Sequence, residues 1–548
     1  MSPSRPIHPL ALDAVIERRR LLGLTLGALG GSLLAACRTG GDASGPVGTT
    51  APGPSSTIAS TVTSTTTTAA PATTALPSTT AAPTTVPYDP SLPYWMQGNF
   101  APVPDELDAF DLEVEGALPP ELDGLYVRNG SNPAAGAGSH WFLGDGMVHG
   151  VRLERGRARW YRNRWIRTPL LGQGDLLGGG GAGPPGGANN SSNTAVVHHA
   201  GRLLSLQEVG FPYELSTADL ATIGATDLGG TLTTALTAHP KLDPATGLLH
   251  AFGYGFVPPY LTYLVIDANG RVVSSHEVAV PGPTMVHDFA ITDRDVVFWD
   301  LPVVFDLDLA LAGEMPFRWD PSYGARIGTF PLGGPATAAR WVEIDPCYVF
   351  HGTNAWREGD DVVLDVSRLP TMFAEGGDTG TNALHRWRLR GVGDPTDPGA
   401  GAGAGAGPGS ITFEDLRLVE GTLDLPSSDA RVRGRPHRHA WYASTRDGLG
   451  GYDFGGVHHL DTVSGRIEQW DPGPSESCAE TLFVPAGDRA AEGEGWLLTF
   501  GYDATRDGSD LLVFEATRVA AGPIARVRLP RRVPYGFHAC WVDAAALA

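Results

Sequence analysis

The chain has 548 residues with 39 Lys and Arg against 60 Asp and Glu, and its net charge of −21 leaves no basic surface of the kind a nucleic-acid partner needs. Its 72 Gly and 45 Pro point to many turns and argue against long helices, while 42% hydrophobic residues suffice for a large core. Four cysteines without a C-x-x-C pair give no support to a zinc ribbon or a thioredoxin-type centre.

Residues 1–36 read as a targeting segment. Arg18-Arg19-Arg20 precedes an apolar run from Leu21 to Ala36 that is too short to span a bilayer. The run ends in Leu34-Ala35-Ala36-Cys37, which resembles a bacterial lipobox and marks Cys37 as the lipidated first residue of an exported, cell-envelope lipoprotein anchored at the outer face of the membrane. An ordinary signal peptide is the plainer alternative. Arg18-Arg19 with Leu21-Leu22 also resembles the twin-arginine export pattern, although Glu17 and the missing Lys depart from it. Residues 37–88 then form a Thr, Ala, Pro, Ser and Gly linker, almost without charge and without an aromatic before Tyr88. Such a segment cannot bury enough apolar surface to offset its ordering entropy, so it is expected to be a disordered spacer.

The folded body is expected over 89–548. Short apolar runs alternate with turn residues, as in Leu261–Asp267 and Arg271–Val280, Val457–Asp461 and Arg466–Trp470, or Leu511–Glu515 and Ile524–Leu529. Many hairpins without a sustained helical period suggest a sandwich array, a solenoid or a propeller, and the repeats are too divergent to give a blade count. The glycine-rich stretches Gly178–Gly187 and Gly399–Ser410 read as insertions without chemistry. Cys347, Cys478 and Cys540 read as small buried hydrophobes.

Sixteen histidines occur, and no pair of them has a clear metal-binding spacing. Context singles out His239 in Thr237-Ala238-His239-Pro240-Lys241, His287 in Met285-Val286-His287-Asp288-Phe289, His351 in Phe350-His351-Gly352-Thr353-Asn354-Ala355-Trp356, and His538 in Pro534-Tyr535-Gly536-Phe537-His538. In the same order stand Leu125-Tyr126-Val127-Arg128-Asn129-Gly130-Ser131, Gly144-Asp145-Gly146-Met147, Tyr161-Arg162-Asn163-Arg164-Trp165 and Gln207-Glu208. From about Gly98 to Val542 the sequence closely resembles the carotenoid cleavage oxygenase family, which includes carotenoid, apocarotenoid and stilbenoid dioxygenases.

That resemblance implies an all-β, seven-bladed β-propeller with loops capping an axial iron site. It implies one Fe(2+) held by His239, His287, His351 and His538, and O₂-dependent cleavage of a C=C bond to two carbonyl products. Four neutral imidazoles leave the metal its full charge and two open octahedral positions. The family's carboxylates that hold the imidazoles map onto Glu208, Glu480 and, one methylene shorter, Asp424. Departures from the family pattern fall at Arg357 and Ala539. Stilbenoid enzymes tend to carry Lys where this chain has Gln207, which favours an apolar polyene as substrate. Phe211, Phe256, Tyr260, Trp299 and Phe305 are tunnel-wall candidates, and Leu301–Phe317 is a candidate membrane-facing rim. The alternatives are a stilbenoid-cleaving dioxygenase and a non-catalytic propeller that binds at the cell surface.

Overall fold

A computed structural model describes residues 74–75, 89, 91–136, 138, 140–173, 187–375, 379–393, 411–446 and 453–547. These fall in the compact unit Ala70–Ala548; the unit Met1–Ala69 lies outside the described residues, and with it the targeting segment and Cys37. Of the linker, Thr74–Ala75 are described, paired in parallel with Val419–Glu420. Its remainder to Tyr88 lies outside the described residues, as do the two glycine-rich insertions apart from Gly187.

Seven antiparallel sheets form the blades of a propeller. Blade 1 is built on Gly124–Ser131, Gly146–Glu154 and Arg157–Trp165, blade 2 on Ala195–His199, Arg202–Leu206, Tyr213–Leu215 and Thr222–Ala225. Blade 3 runs from Lys241–Leu242 to Val272–Glu277, blade 4 from Ala290–Ile291 to Arg340–Glu343, and blade 5 from Tyr348–Glu358 to Thr412–Glu420. Blade 6 runs from Leu423–Ser428 to Arg466–Trp470, and blade 7 from Glu476–Cys478 and Leu482–Pro485 to Ala525–Arg528. The three hairpins read from the sequence are present in blades 3, 6 and 7. Both ends of the body close the ring. The last strand, Ala539–Asp543, pairs with Gly124–Ser131 as the innermost strand of blade 1, while Leu107–Phe110 and Val114–Gly116 add outer edges to blades 1 and 7.

Why these residues make blades is visible in their alternation. On one strand Leu125 and Val127 pack toward blade 2 with Val196 and Leu203, while Tyr126 between them packs toward blade 7 with Phe500 and Leu498. Blade 7 does the same, with Leu498 facing blade 1 and Leu497 facing Trp441 and Val457 of blade 6. Strands inside the blades, such as Gly124–Ser131 and Leu261–Ile266, are buried on both faces and lose the period-two signature that the outer strand Val272–Glu277 keeps. The largest cluster joins blades 3, 4 and 5 through Phe252, Phe289, Phe298 and Trp387.

Arg357, where the family often has an acid, forms a bidentate ion pair with buried Asp295 (2.5 and 2.7 Å), tying blade 5 to blade 4. Cys347 and Cys478 are buried as expected, whereas Cys540 is half-buried. The stretch Leu301–Phe317 is only partly exposed. Leu301, Val303 and Val304 are core, and the exposed apolar residues are Leu307 and Leu311 on the helix Leu307–Ala312. That helix is capped by Asp306, whose carboxylate accepts from the amides of Asp308 and Leu309. No described helix is long and apolar enough to cross a membrane.

Val542, 1% exposed between blades 1 and 2, tests the closure. Val542→Asp buries a charge on the closing strand and should cost at least about 3 kcal/mol, read as a lower urea midpoint.

Candidate metal centre

Four of the blades deliver one histidine each at the start of an innermost strand. His239 and His287 lie just before Lys241–Leu242 and Ala290–Ile291, His351 lies within Tyr348–Glu358, and His538 immediately precedes Ala539–Asp543. Their potential ligand atoms all lie within 4.8 Å of one another. His239 Nε2 is 3.0 Å from His287 Nε2, which is 3.3 Å from His351 Nε2. The ring of His538 is centred 4.4 Å from that of His239 and 5.0 Å from that of His351.

The outer nitrogens are held by carboxylates. His287 Nδ1 pairs with Glu208 Oε1, and Tyr254 Oη donates to Glu208 Oε2 at 2.6 Å. His351 Nδ1 donates to Asp424 Oδ1 at 2.8 Å, so an aspartate reaches where the family has a glutamate. His538 Nδ1 donates to Glu480 Oε1 at 2.8 Å, and Glu480 Oε2 accepts the amide of Ala539 at 2.7 Å. The segment that brings His538 in is held by Asn129, whose carbonyl accepts from Phe537 and whose amide donates to the His538 carbonyl. It passes so close that a Cβ on Gly130 would lie 2.6 Å from the Cα of Gly536.

A carboxylate on Nδ1 fixes the tautomer and leaves Nε2 as a bare lone pair. With both rings neutral, His287 and His351 thus point two acceptors at each other at 3.3 Å. A metal ion between them relieves that arrangement, and four imidazoles suit a late first-row transition metal. Burial pushes His239 well below the usual imidazole range, and the neighbouring histidines push it further. Burial likewise outweighs Asp424 and lowers His351, so both rings stay neutral, as a ligand must be. At His287 burial pulls down, but Glu208 together with Asp288 and Asp424 outweighs it, and the ring's affinity for a proton rises.

The other sequence candidates separate. Gln207 is buried, and its Oε1 accepts the amide of Ser191 at 3.0 Å, so its carboxamide supports the local backbone. Phe211 packs between blades 2 and 3 with Leu206 and Leu236. Trp299, 2% exposed, donates from Nε1 to the Val349 carbonyl. Both Phe211 and Trp299 therefore serve packing between blades. Tyr260 precedes the strand Leu261–Ile266 and takes part through its carbonyl, which accepts from Gly255.

Phe256 and Phe305 stack at 3.9 Å and begin a file of phenyl rings that the sequence did not reveal. From them the file passes to Phe317 at 6.1 and 6.3 Å, to Phe373 at 6.5 Å, to Phe142 at 6.4 Å and to Phe350 at 6.1 Å. Phe350 ends it 5.0 Å from His287. Phe142 and Phe373 lie outside the strands, and nothing in their local pattern distinguishes them from ordinary packing residues.

If Glu208 and Glu480 hold the imidazoles, Glu208→Gln and Glu480→Gln should leave the fold intact and weaken metal binding about 10–100-fold, measured by competition with a chromophoric chelator. Tyr254→Phe, which removes only the donor to Glu208, should have a smaller effect.

Residues 100–543 match the family model described as Retinal pigment epithelial membrane protein. The chain is 36% identical over 511 residues to a carotenoid cleavage oxygenase of Mycobacterium tuberculosis, covering 82% of this chain and 97% of that one. It is similar in structure to the lignostilbene dioxygenase of Pseudomonas brassicacearum, with a TM-score of 0.73, 28% identity, and 84% of this chain and 100% of that chain covered. The cobalt-substituted apocarotenoid oxygenase of Synechocystis superposes with a TM-score of 0.70 at 26% identity, over 82% of this chain and 98% of that chain. A ring of seven blades, four converging imidazoles with carboxylates behind three of them, and these matches together establish that the chain belongs to the carotenoid cleavage oxygenase family.

Proposed function

We propose that His239, His287, His351 and His538 hold one Fe(II), and that the protein uses O₂ to split a C=C bond of a carotenoid or apocarotenoid into two carbonyl products. Iron bound there would supply the redox chemistry that lets O₂ react with an alkene. The chain's own residues do the remaining work. Glu208, Asp424 and Glu480 keep the imidazole protons on Nδ1, and the blade cores hold the rings in place.

The observation that carries the substrate reading is the phenyl file from His287 to Phe256. It offers an elongated guest apolar faces, and it ends at Phe256 and Phe305, whose close chain neighbours Val257 and Leu307 are exposed apolar side chains. An apolar polyene gains about 25 cal/mol for each Å² removed from water along such a wall. A hydroxystilbene needs a polar group for its phenol, and Gln207, where stilbenoid enzymes tend to have Lys, has its oxygen bonded to Ser191. Missing one charge-assisted hydrogen bond costs about 1.5–3 kcal/mol. A non-catalytic binding propeller would have no use for carboxylates behind three metal-facing histidines.

Aerobic incubation of the iron-loaded protein with apocarotenals and with 4-hydroxystilbenes tests this. The apocarotenals should be cleaved about 10–100-fold faster, from the hydrogen-bond deficit just given. Efficient splitting of resveratrol-like compounds without attack on apocarotenals would replace this reading with the stilbenoid one.

We also propose that the protein is exported and lipidated on Cys37. The support is the Leu34–Cys37 motif and the apolar run before it. A lipid anchor would keep the enzyme on the membranes in which apolar polyenes dissolve. The wild type should fractionate with membranes and incorporate labelled fatty acid, and Cys37→Ser should do neither.

A further inference from the structure

Three of the four histidines are followed, within two residues, by a group that meets one carboxylate. Asp288 comes immediately after His287 and is 1% exposed. Its Oδ1 lies 2.6 Å from Nζ of Lys241, two residues beyond His239, and accepts the amide of Phe289 at 2.8 Å. Its Oδ2 accepts the amide of Gly352, the residue after His351, at 3.0 Å. Residue 352 is glycine where the chains are close: a Cβ there would lie 3.0 Å from the ring of Trp299 and 3.9 Å from Asp288 Oδ2. A single side chain therefore joins the starts of the innermost strands of blades 3, 4 and 5 directly beside their histidines.

We propose that Asp288, together with Lys241, is a positioning pair that sets the spacing of His239, His287 and His351 around the metal. The proposal rests on the metal-centre reading above and deepens it. A buried ion pair adds little net stability, because the desolvation of two charges roughly offsets their attraction. What it supplies is direction. A charge-assisted contact and two amide hydrogen bonds leave Asp288 one place to sit, and each partner is fixed to a ligand-bearing strand. Glu208, Asp424 and Glu480 orient single rings, whereas Asp288 touches no ring and fixes the distances between rings.

The Arg357–Asp295 pair supplies a control. It too joins blades 4 and 5 through a buried aspartate, and it lies six residues past His351 on the strand, away from the ligand nitrogens. The full-length protein is stripped of metal and titrated with Co(II), whose ligand-field bands report the coordination geometry. Asp288→Glu keeps the charge and lengthens the arm by one methylene; Lys241→Met removes the cation.

Both variants should keep a native far-UV circular dichroism spectrum, bind Co(II) about 10–100-fold more weakly, and show shifted bands at saturation. Arg357→Met should lower the melting temperature and leave affinity and bands as in the wild type. Wild-type affinity and unshifted bands in both Asp288→Glu and Lys241→Met would overturn the proposal, and so would an equal band shift in Arg357→Met. Should Lys241→Met fail to fold, Lys241→Arg is held to the same criterion. A wild-type protein that takes up no Co(II) would overturn the metal centre itself, and the role of this pair with it.

Discussion

Two imidazole lone pairs facing each other at 3.3 Å, on His287 and His351, are the constraint around which the molecule is arranged. Left alone they repel, and water would separate them. They are kept together because each ring is gripped at its far nitrogen and each backbone is built into a different blade. The grip is electrostatic and local, through Glu208 and Asp424. The separation of the strands is set by packing, since the cluster running through Phe252, Phe289 and Phe298 fills the space between blades 3, 4 and 5. The site's arrangement is thus maintained by parts of the chain that never touch the metal position.

The propeller suits this task because each innermost strand begins near the axis. A short motif on one helix delivers two ligands at most on one face, and its reach is limited by its own pitch. A ring of sheets delivers one donor from each of several directions, and the donors can be far apart in sequence. The carboxylates obey the same geometry. Asp424 comes from the innermost strand of blade 6, and Glu480 from the short gap between the two inner strands of blade 7. Neither is close in sequence to the histidine it serves.

How much of this could be read from the residues differs by part. The hairpins were legible, since turn residues and β-branched runs are local signals. The number of blades was not, because strands such as Gly124–Ser131 are buried on both faces and show no alternation. The four histidines stood out by family resemblance and by nothing in their spacing, as expected for ligands that meet only after the ring closes. Arg357 departed from the family pattern and could be understood only beside Asp295 on the neighbouring blade. Trp299 and Phe211 stood out only as large apolar residues and pack between blades, while Phe142 and Phe373, outside the strands, carried no signal at all. Asp288 was in plain view next to His287, but its partners Lys241 and Gly352 lie on two other blades.

The closing strand carries a further consequence. His538 enters the axis on the same segment that lays Ala539–Asp543 into blade 1, far along the chain from His351. During translation His239, His287 and His351 therefore leave the ribosome well before His538 does. The full ligand set is thus assembled only once the closing strand has been laid into blade 1, and a chain that stops short of His538 has neither a closed ring nor a complete centre.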